Sequence, residues 1–129
     1  LSGNPLAMAA GLAMLNALND QPEMYDRLDK KTERLHLGME ERIAGTELPY
    51  QINRFGSMIS LHFTNTPVID FATAAEGNND FFKAYFHGML KEGIYLPPSA
   101  FESYFLNDAL TNDDIDYTLD AFERVIKGL

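Results

Sequence analysis

The sequence contains no cysteine among its 129 residues. Disulfides, thiolate metal sites and a cysteine nucleophile are therefore excluded, and the composition is compatible with the reducing cytoplasm, which is the location we predict. No apolar run approaches the ~18 residues needed to cross a bilayer, so no membrane span is expected. The opening stretch LSGNPLAMAAGL has no basic region and does not match a secretory signal peptide.

Basic residues are scarce. Ten lysines and arginines stand against 19 aspartates and glutamates, which gives a formal net charge of −9. Nucleic acids and anionic membranes bind basic surfaces, so neither is an expected partner. The apolar fraction of 46% is sufficient for a packed core in one compact domain.

Residue patterns that carry catalysis are also missing. The sequence has no Ser/His/Asp motif, no phosphate-binding loop with its lysine and no paired carboxylates. His62 and His87 have no further ligands at metal-binding spacing, so both are interpreted as structural residues, with His62 at a surface or in a pairing contact. The acidic cluster Asp113, Asp114 and Asp116 fits the start of a helix. We therefore predict no metal site.

Hydrophobic periodicity predicts the order helix, helix, strand, strand, helix, strand, helix. The predicted helices cover residues 5–19, 23–44, 79–92 and a C-terminal helix that starts after Thr111, and the predicted strands cover residues 50–55, 59–64 and 94–96. Gly56 and Ser57 are predicted to turn the first two strands into a hairpin. Residues 66–77 are predicted to form a loop or a short helical turn. The fold class is α+β, with helices packed on a small, mostly antiparallel sheet.

One predicted strand alternates regularly. Apolar side chains at 59, 61 and 63 alternate with Ser60, His62 and Thr64, which predicts one buried and one polar face.

Helix ends are marked by local signals. Asn79 or Asp80 is predicted to cap the third helix, and Gly93 to end it in a left-handed conformation. Thr111 and Asp114 have the spacing of a capping box for the last helix.

The first helix raises a packing problem. Asn4 can cap it and Pro5 suits its first position. Residues 5–19 are apolar on nearly every side, as in helices that are buried all round, so we expect a partner surface. The chain opens directly on this cap without an initiator methionine, and we expect it to be a segment of a longer protein. A helix start of this kind is also a natural neighbour for a phosphate.

Two stretches carry a resemblance. LSGNPLAMAAGLAMLN and GMLKEGIYLPPSAFESYFL strongly resemble the C-terminal part of the glutamate-1-semialdehyde 2,1-aminomutase family, pyridoxal-phosphate (PLP) enzymes related to the class III aminotransferases. FGSMISLHFT and LTNDDIDYTLDAFERV fit as well, so the resemblance covers essentially the whole chain. The S-G-N-P start is shared with related transaminases, whereas P-P-S-A-F-E-S is the distinguishing part.

The resemblance implies an architecture and a reaction. Residues 21–129 would be the C-terminal small domain of a fold type I PLP-dependent transferase, and residues 1–20 a helix linking to its large PLP-binding domain, in a homodimer. The complete enzyme, an isomerase, would convert glutamate-1-semialdehyde to 5-aminolevulinate for tetrapyrrole (porphyrin) synthesis. The family's Schiff-base lysine would lie upstream of Leu1. We therefore expect no catalytic residue in this chain, and no activity from it alone.

The stretch YLPPSAFESYF holds a single charged residue, Glu102. Related class III aminotransferases commonly carry an arginine in this loop, where it can hold a substrate α-carboxylate. An aminomutase substrate presents an aldehyde at that position. The resemblance thus implies that Glu102 lines the substrate pocket with Ser99 nearby, and that Ser2 contacts the cofactor. The alternative is that Glu102 simply faces water while the aromatic rings pack inward.

Two other functional readings stay open from the sequence. One is the same domain from a class III ω-aminotransferase with an unusual pocket. The other is a free-standing, non-catalytic dimerisation or binding module.

Overall fold

The computed structural model describes residues 3–129, and these form five helices and one antiparallel three-stranded sheet, which confirms the α+β class. The helices are α1 (Pro5–Asp20), α2 (Glu23–Ile43), α3 (Phe71–Ala74), α4 (Asn79–Lys91) and α5 (Asn112–Ile126), and the strands are β1 (Gln51–Phe55), β2 (Met58–His62) and β3 (Tyr104–Phe105). The strand order is β1-β2-β3. None of the helices in this part of the chain has the length and hydropathy of a membrane span.

Helix α1 starts as predicted and lies exposed. The Oδ1 atom of Asn4 accepts hydrogen bonds from the backbone N–H groups of Leu6 and Ala7 at 3.0 and 3.1 Å, and Pro5 occupies the first turn. No residue of α1 is buried, and Leu6 is 80% exposed. No part of the described residues buries this helix, so the partner surface expected for it stays a prediction.

The core lies where α2, α4 and α5 meet the sheet. Apolar positions at helical spacing supply it: Leu35, Met39 and Ile43 from α2, Tyr85 and Met89 from α4, and Ile115, Leu119, Phe122 and Ile126 from α5. Tyr85 contacts Phe122 edge to face with the ring centroids 5.9 Å apart. The predicted capping box of α5 is present, since Asp114 accepts from the backbone N–H of Thr111, which in turn caps the helix.

Ion pairs connect α2 to Asp108, in the segment that precedes α5. Arg27 donates to both carboxylate oxygens of Asp108, at 3.1 and 2.6 Å. Lys31 donates to the Asp108 carbonyl oxygen at 2.6 Å. These hydrogen bonds, with Arg27 contributing most, lower the pKa of Asp108 to about 2.

The third strand is not where the sequence predicted it. Residues 94–96 are irregular, and Tyr104–Phe105 pairs with β2 instead. The reason lies in the end of α4. Gly93 adopts φ +80°, as predicted, and the N–H groups of Gly93 and Ile94 bond back to the carbonyls of Leu90 and Met89. This is a Schellman motif, and it uses the amide that would begin a strand ladder.

Helix α4 also begins one residue away from the predicted caps. Its N-cap is Asn78, rather than Asn79 or Asp80, because the Oδ1 atom of Asn78 accepts from the N–H groups of Asp80 and Phe81 at 3.0 and 3.1 Å. The three consecutive capping-type residues at 78–80 made the choice ambiguous from sequence.

The polar face predicted for β2 is present, but it is buried and does not face solvent. Ser60 and His62 are each 8% exposed, and Thr64, just beyond the strand, is 7% exposed. The segment before α4, which was predicted to be a loop or a short helical turn, folds over this face. It contains the short helix α3. Asn53 on β1 fixes it by donating to the Val68 carbonyl oxygen at 2.8 Å.

Candidate functional site

The candidate site is built on the segment 97–103, here called the Glu102 loop. Ser99 shapes it, because its Oγ atom accepts from the backbone N–H of Phe101 and its carbonyl oxygen accepts from the N–H of Glu102, each at 3.2 Å. Serine often forms such local turns. The Ser99 hydroxyl therefore has a structural partner, and the turn presents the next side chains outward.

The Glu102 side chain is exposed. Ser99 and Glu102 line a small recess together with Tyr85 and Tyr104. The recess holds about 10 Å³, too small for a substrate. The recess therefore cannot hold a substrate, whereas the exposed carboxylate of Glu102 can attract a cation or repel an anion at the surface.

The two tyrosines behind the loop belong to the core. Burial raises the pKa of Tyr104 to about 12, and burial together with the neighbouring Tyr104 raises the pKa of Tyr85 well above its usual value. The hydroxyl of Tyr104 points at the Met39 sulfur, 3.9 Å away. Both hydroxyls are neutral at physiological pH, so neither supplies a general base.

The Glu102 loop separates two clefts, and Phe101 lines both. The first, of about 420 Å³, is lined by β1, β2, α3 and the loop, including Arg54, His62, Phe71 and Ser103. The second, of about 310 Å³, lies between α4 and the loop and includes Lys83, Phe86, His87 and Ser99.

Arg54 is closer to the loop in space than in sequence. It lines the first cleft, which the loop also lines. Its guanidinium is, however, held by Asp29 on α2, through both the carboxylate and the backbone carbonyl oxygen. Only its Nη2 atom makes these bonds, and its buried Nε atom has no hydrogen-bond partner among the described residues. Sequence reasoning missed this proximity because it depends on the β1–β2 register and on the path of the loop.

The histidines do not form a reactive set. His62, expected at a surface or in a pairing contact, is buried, and its Nε2 lies 3.2 Å from the Ser60 Oγ. Burial lowers the pKa of His62, which keeps the imidazole neutral at pH 7. His87 is exposed on α4. Within residues 3–129, no three His, Cys, Asp or Glu side chains are grouped so that they could hold a metal ion.

The lysines do not resemble a cofactor-attachment site. A lysine that forms a Schiff base is typically desolvated in a pocket. Lys83 is 66% exposed and lies 3.4 Å from Asp80, Lys127 is equally exposed beside Glu123, and Lys31 is bound to Asp108. Lys30 and Lys91 are exposed. Ser2, the predicted cofactor contact, lies outside the described residues, and Asn4 already occupies two of the amides that begin α1.

The fold is shared with PLP-dependent transaminases. An omega-transaminase from Sphaerobacter thermophilus superposes with a TM-score of 0.79 at 23% identity, over 97% of this chain and 28% of that protein. A transaminase with PLP bound gives a TM-score of 0.77 at 21% identity, over 97% of this chain and 27% of its own. The chain thus has the architecture of one segment of a transaminase, as predicted. No protein-family model matches it.

Sequence comparison is more specific. A glutamate-1-semialdehyde 2,1-aminomutase from Flavobacterium psychrophilum is 53% identical over all 129 residues. An enzyme of that name from Thermus thermophilus is 47% identical over 126 residues. By sequence this chain is similar to the C-terminal part expected of glutamate-1-semialdehyde 2,1-aminomutases, and it spans 30% of the length of these relatives.

Proposed function

We propose that this chain is the C-terminal small domain of a PLP-dependent aminomutase that converts glutamate-1-semialdehyde to 5-aminolevulinate, in tetrapyrrole synthesis. The observation that carries the proposal is the 53% identity over the entire chain to a protein of that name. The transaminase neighbours, at 23% and 21% identity, support the fold. They are weaker support for an ω-aminotransferase than the sequence relatives are for an aminomutase. The cytoplasmic location stays a prediction alongside this proposal.

The side chains of this chain indicate which part of the reaction it contributes to and which part it leaves to the rest of the protein. PLP, when bound, supplies the electron sink for moving an amino group. The described lysines are exposed or ion-paired, so we place covalent attachment of the cofactor in the remainder of the complete protein. This chain's own contribution is then to position and select the substrate, and we expect it to be inactive alone.

Helix α1 supports a two-part arrangement. Its large apolar side chains are exposed, among them Leu12 at 61% and Leu15 at 65%. Exposed apolar patches of this kind usually mark a contact surface. We propose that residues 1–20 link to a large PLP-binding domain, that residues 21–129 form the small domain, and that the complete protein is a homodimer.

Glu102 is proposed to select the substrate. Its exposed carboxylate would repel a substrate α-carboxylate and attract an ammonium group. The arginine nearest to the loop in the first cleft, Arg54, is bound to Asp29. The loop therefore favours a substrate with a neutral aldehyde over one with a carboxylate at that position. Ser99 is proposed to support this role by setting the turn.

The Glu102→Gln variant of the complete protein tests this role. Wild-type protein should convert glutamate-1-semialdehyde to 5-aminolevulinate, with weak inhibition by L-glutamate, which carries a carboxylate in place of the aldehyde. We expect the variant to lose about tenfold or more in kcat/KM and to be inhibited more strongly by L-glutamate, since a hydrogen bond to a charged group contributes about 1.5–3 kcal/mol.

Glu47→Gln is the matched control, because Glu47 is also exposed but lies in the turn after α2. Glu47→Gln makes the same change of charge, and it should leave both kcat/KM and the inhibition by L-glutamate unchanged. Wild-type rate and wild-type inhibition in the Glu102→Gln protein would show that Glu102 is only a surface acid.

A further inference from the structure

A pair of exposed phenylalanines joins α3 to the Glu102 loop. The rings of Phe71 and Phe101 are stacked, with their centroids 5.3 Å apart and an interplanar angle of 29°. Phe71 is 75% exposed and Phe101 is 50% exposed. Burial in the core therefore does not account for these two rings, although offset stacking is a favourable arrangement.

The Phe71 side of this contact is firmly anchored. Asp70 and Thr73 form a capping box on α3, with the Thr73 N–H donating to Asp70 Oδ1 at 2.8 Å. The pKa of Asp70 is lowered, chiefly by this backbone hydrogen bond. Just ahead of α3, Asn53 ties the chain to β1 through the Val68 carbonyl oxygen. Phe71 is thus fixed relative to the sheet.

The Phe101 side leads directly to Glu102. The two residues are neighbours, and both of their backbone N–H groups are bonded to Ser99. A displacement of the Phe101 ring would move this small turn and the carboxylate that it carries. The stack is the ring contact that holds Phe101 among the described residues.

We propose that Phe71 is a positioning residue for Glu102. By stacking on Phe101, it holds the Glu102 loop between the two clefts, so that the carboxylate meets the substrate at a fixed place. This inference rests on the proposed function, because it assigns Phe71 an effect on substrate selection through Glu102. Phe71 would act on the substrate through Glu102, as a positioning residue and not as a catalytic one.

Hydrogen exchange in the complete protein tests the contact without relying on activity. An aromatic pair contributes about 0.5–1.5 kcal/mol, which corresponds to about two- to tenfold in an equilibrium. In Phe71→Ala, the amides of Phe101 and Glu102 should exchange about two- to tenfold faster, with exchange in α5 unchanged. Phe71→Tyr keeps the ring and should behave as wild type. Ile69→Ala removes an apolar side chain that is 84% exposed, comparable with the 75% of Phe71, and it should also behave as wild type.

Substrate selection tests the role. Phe71→Ala should lower kcat/KM for glutamate-1-semialdehyde about two- to tenfold and strengthen inhibition by L-glutamate, with recovery in Phe71→Tyr. In a Glu102→Gln background, Phe71→Ala should cause no further change in L-glutamate inhibition, because the carboxylate that it positions is gone. A purely structural role would instead give equal effects in both backgrounds.

The outcomes separate the two proposals. An inactive wild-type protein would refute the proposed function, and the exchange rates would then decide whether the contact holds the loop. An active wild type with unchanged exchange and unchanged inhibition in Phe71→Ala would overturn the positioning role. Equal effects of Phe71→Ala with and without Glu102 would overturn it as well.

Discussion

Gly88 on α4 is a site where helix propensity and packing oppose each other. A Cβ atom at this position would lie 2.6 Å from Cγ1 and 3.1 Å from Cγ2 of Val125 on α5. Optimal carbon–carbon contacts are about 3.5–4.0 Å, so the overlap is about 1 Å. Valine has one strongly preferred rotamer in a helix, which prevents Val125 from turning away easily.

The balance of the two effects gives the expected sign. Replacing Gly by Ala inside a helix contributes about 1 kcal/mol of stability through propensity. Overpacking a well-filled interface costs about 1–3 kcal/mol. With a central overpacking cost of about 2 kcal/mol, Gly88→Ala should lower the free energy of unfolding by about 1 kcal/mol.

Urea unfolding, followed by far-ultraviolet circular dichroism, measures this change. Ala84→Gly, at an exposed position of the same helix, supplies the propensity alone and should cost about 1 kcal/mol. Without a steric conflict, the two free-energy changes would be equal and opposite. A Gly88→Ala protein that gains what Ala84→Gly loses would therefore refute the close packing of α4 on α5.

Two further predictions concern pH. Burial lowers the pKa of His62 from its usual 6.5, so the unfolded chain takes up a proton first. The resulting contribution to the free energy of unfolding, measured with urea, should be complete above pH 6.5 and lost as the pH falls below it. A His62→Gln protein whose free energy of unfolding depends on pH as steeply as that of wild type would contradict this. The pKa of Asp108 is lowered to about 2, chiefly by Arg27, so its contribution is complete above its usual 3.8 and lost as the pH falls through about 2. Asp108→Asn should be less stable than wild type at pH 7, with the difference vanishing in acid; a difference that persists in acid would argue against the ion pair.

Local signals predicted much of the fold. The caps at Asn4 and Thr111, the left-handed Gly93 and the apolar stripe of α5 all depend on residues within one or two helical turns. Such interactions involve residues that are close in the sequence, so they can be predicted without the tertiary structure. The third strand was missed because it has only two residues, Tyr104 and Phe105, and they pair with β2 across a segment that contains α3 and α4.

The site was harder to predict than the helices. Its loop was recognised from the stretch P-P-S-A-F-E-S, but the neighbours of that loop in space were not. Phe71 is about 30 residues upstream of Phe101 in the sequence, and Arg54 is further still. The burial of His62 likewise depends on residues that fold over β2 from the following loop. Contacts over such separations leave no periodic signal in the sequence.

The donor requirement of the complete protein tests the central claim most directly. The protein is loaded with the pyridoxamine form of the cofactor and given glutamate-1-semialdehyde, with no external amino donor or acceptor, and 5-aminolevulinate is followed over time. Sustained turnover, well beyond one product per active site, is expected of an aminomutase. Turnover that appears only after an α-keto acid or a second amine is added would contradict this and indicate a transaminase.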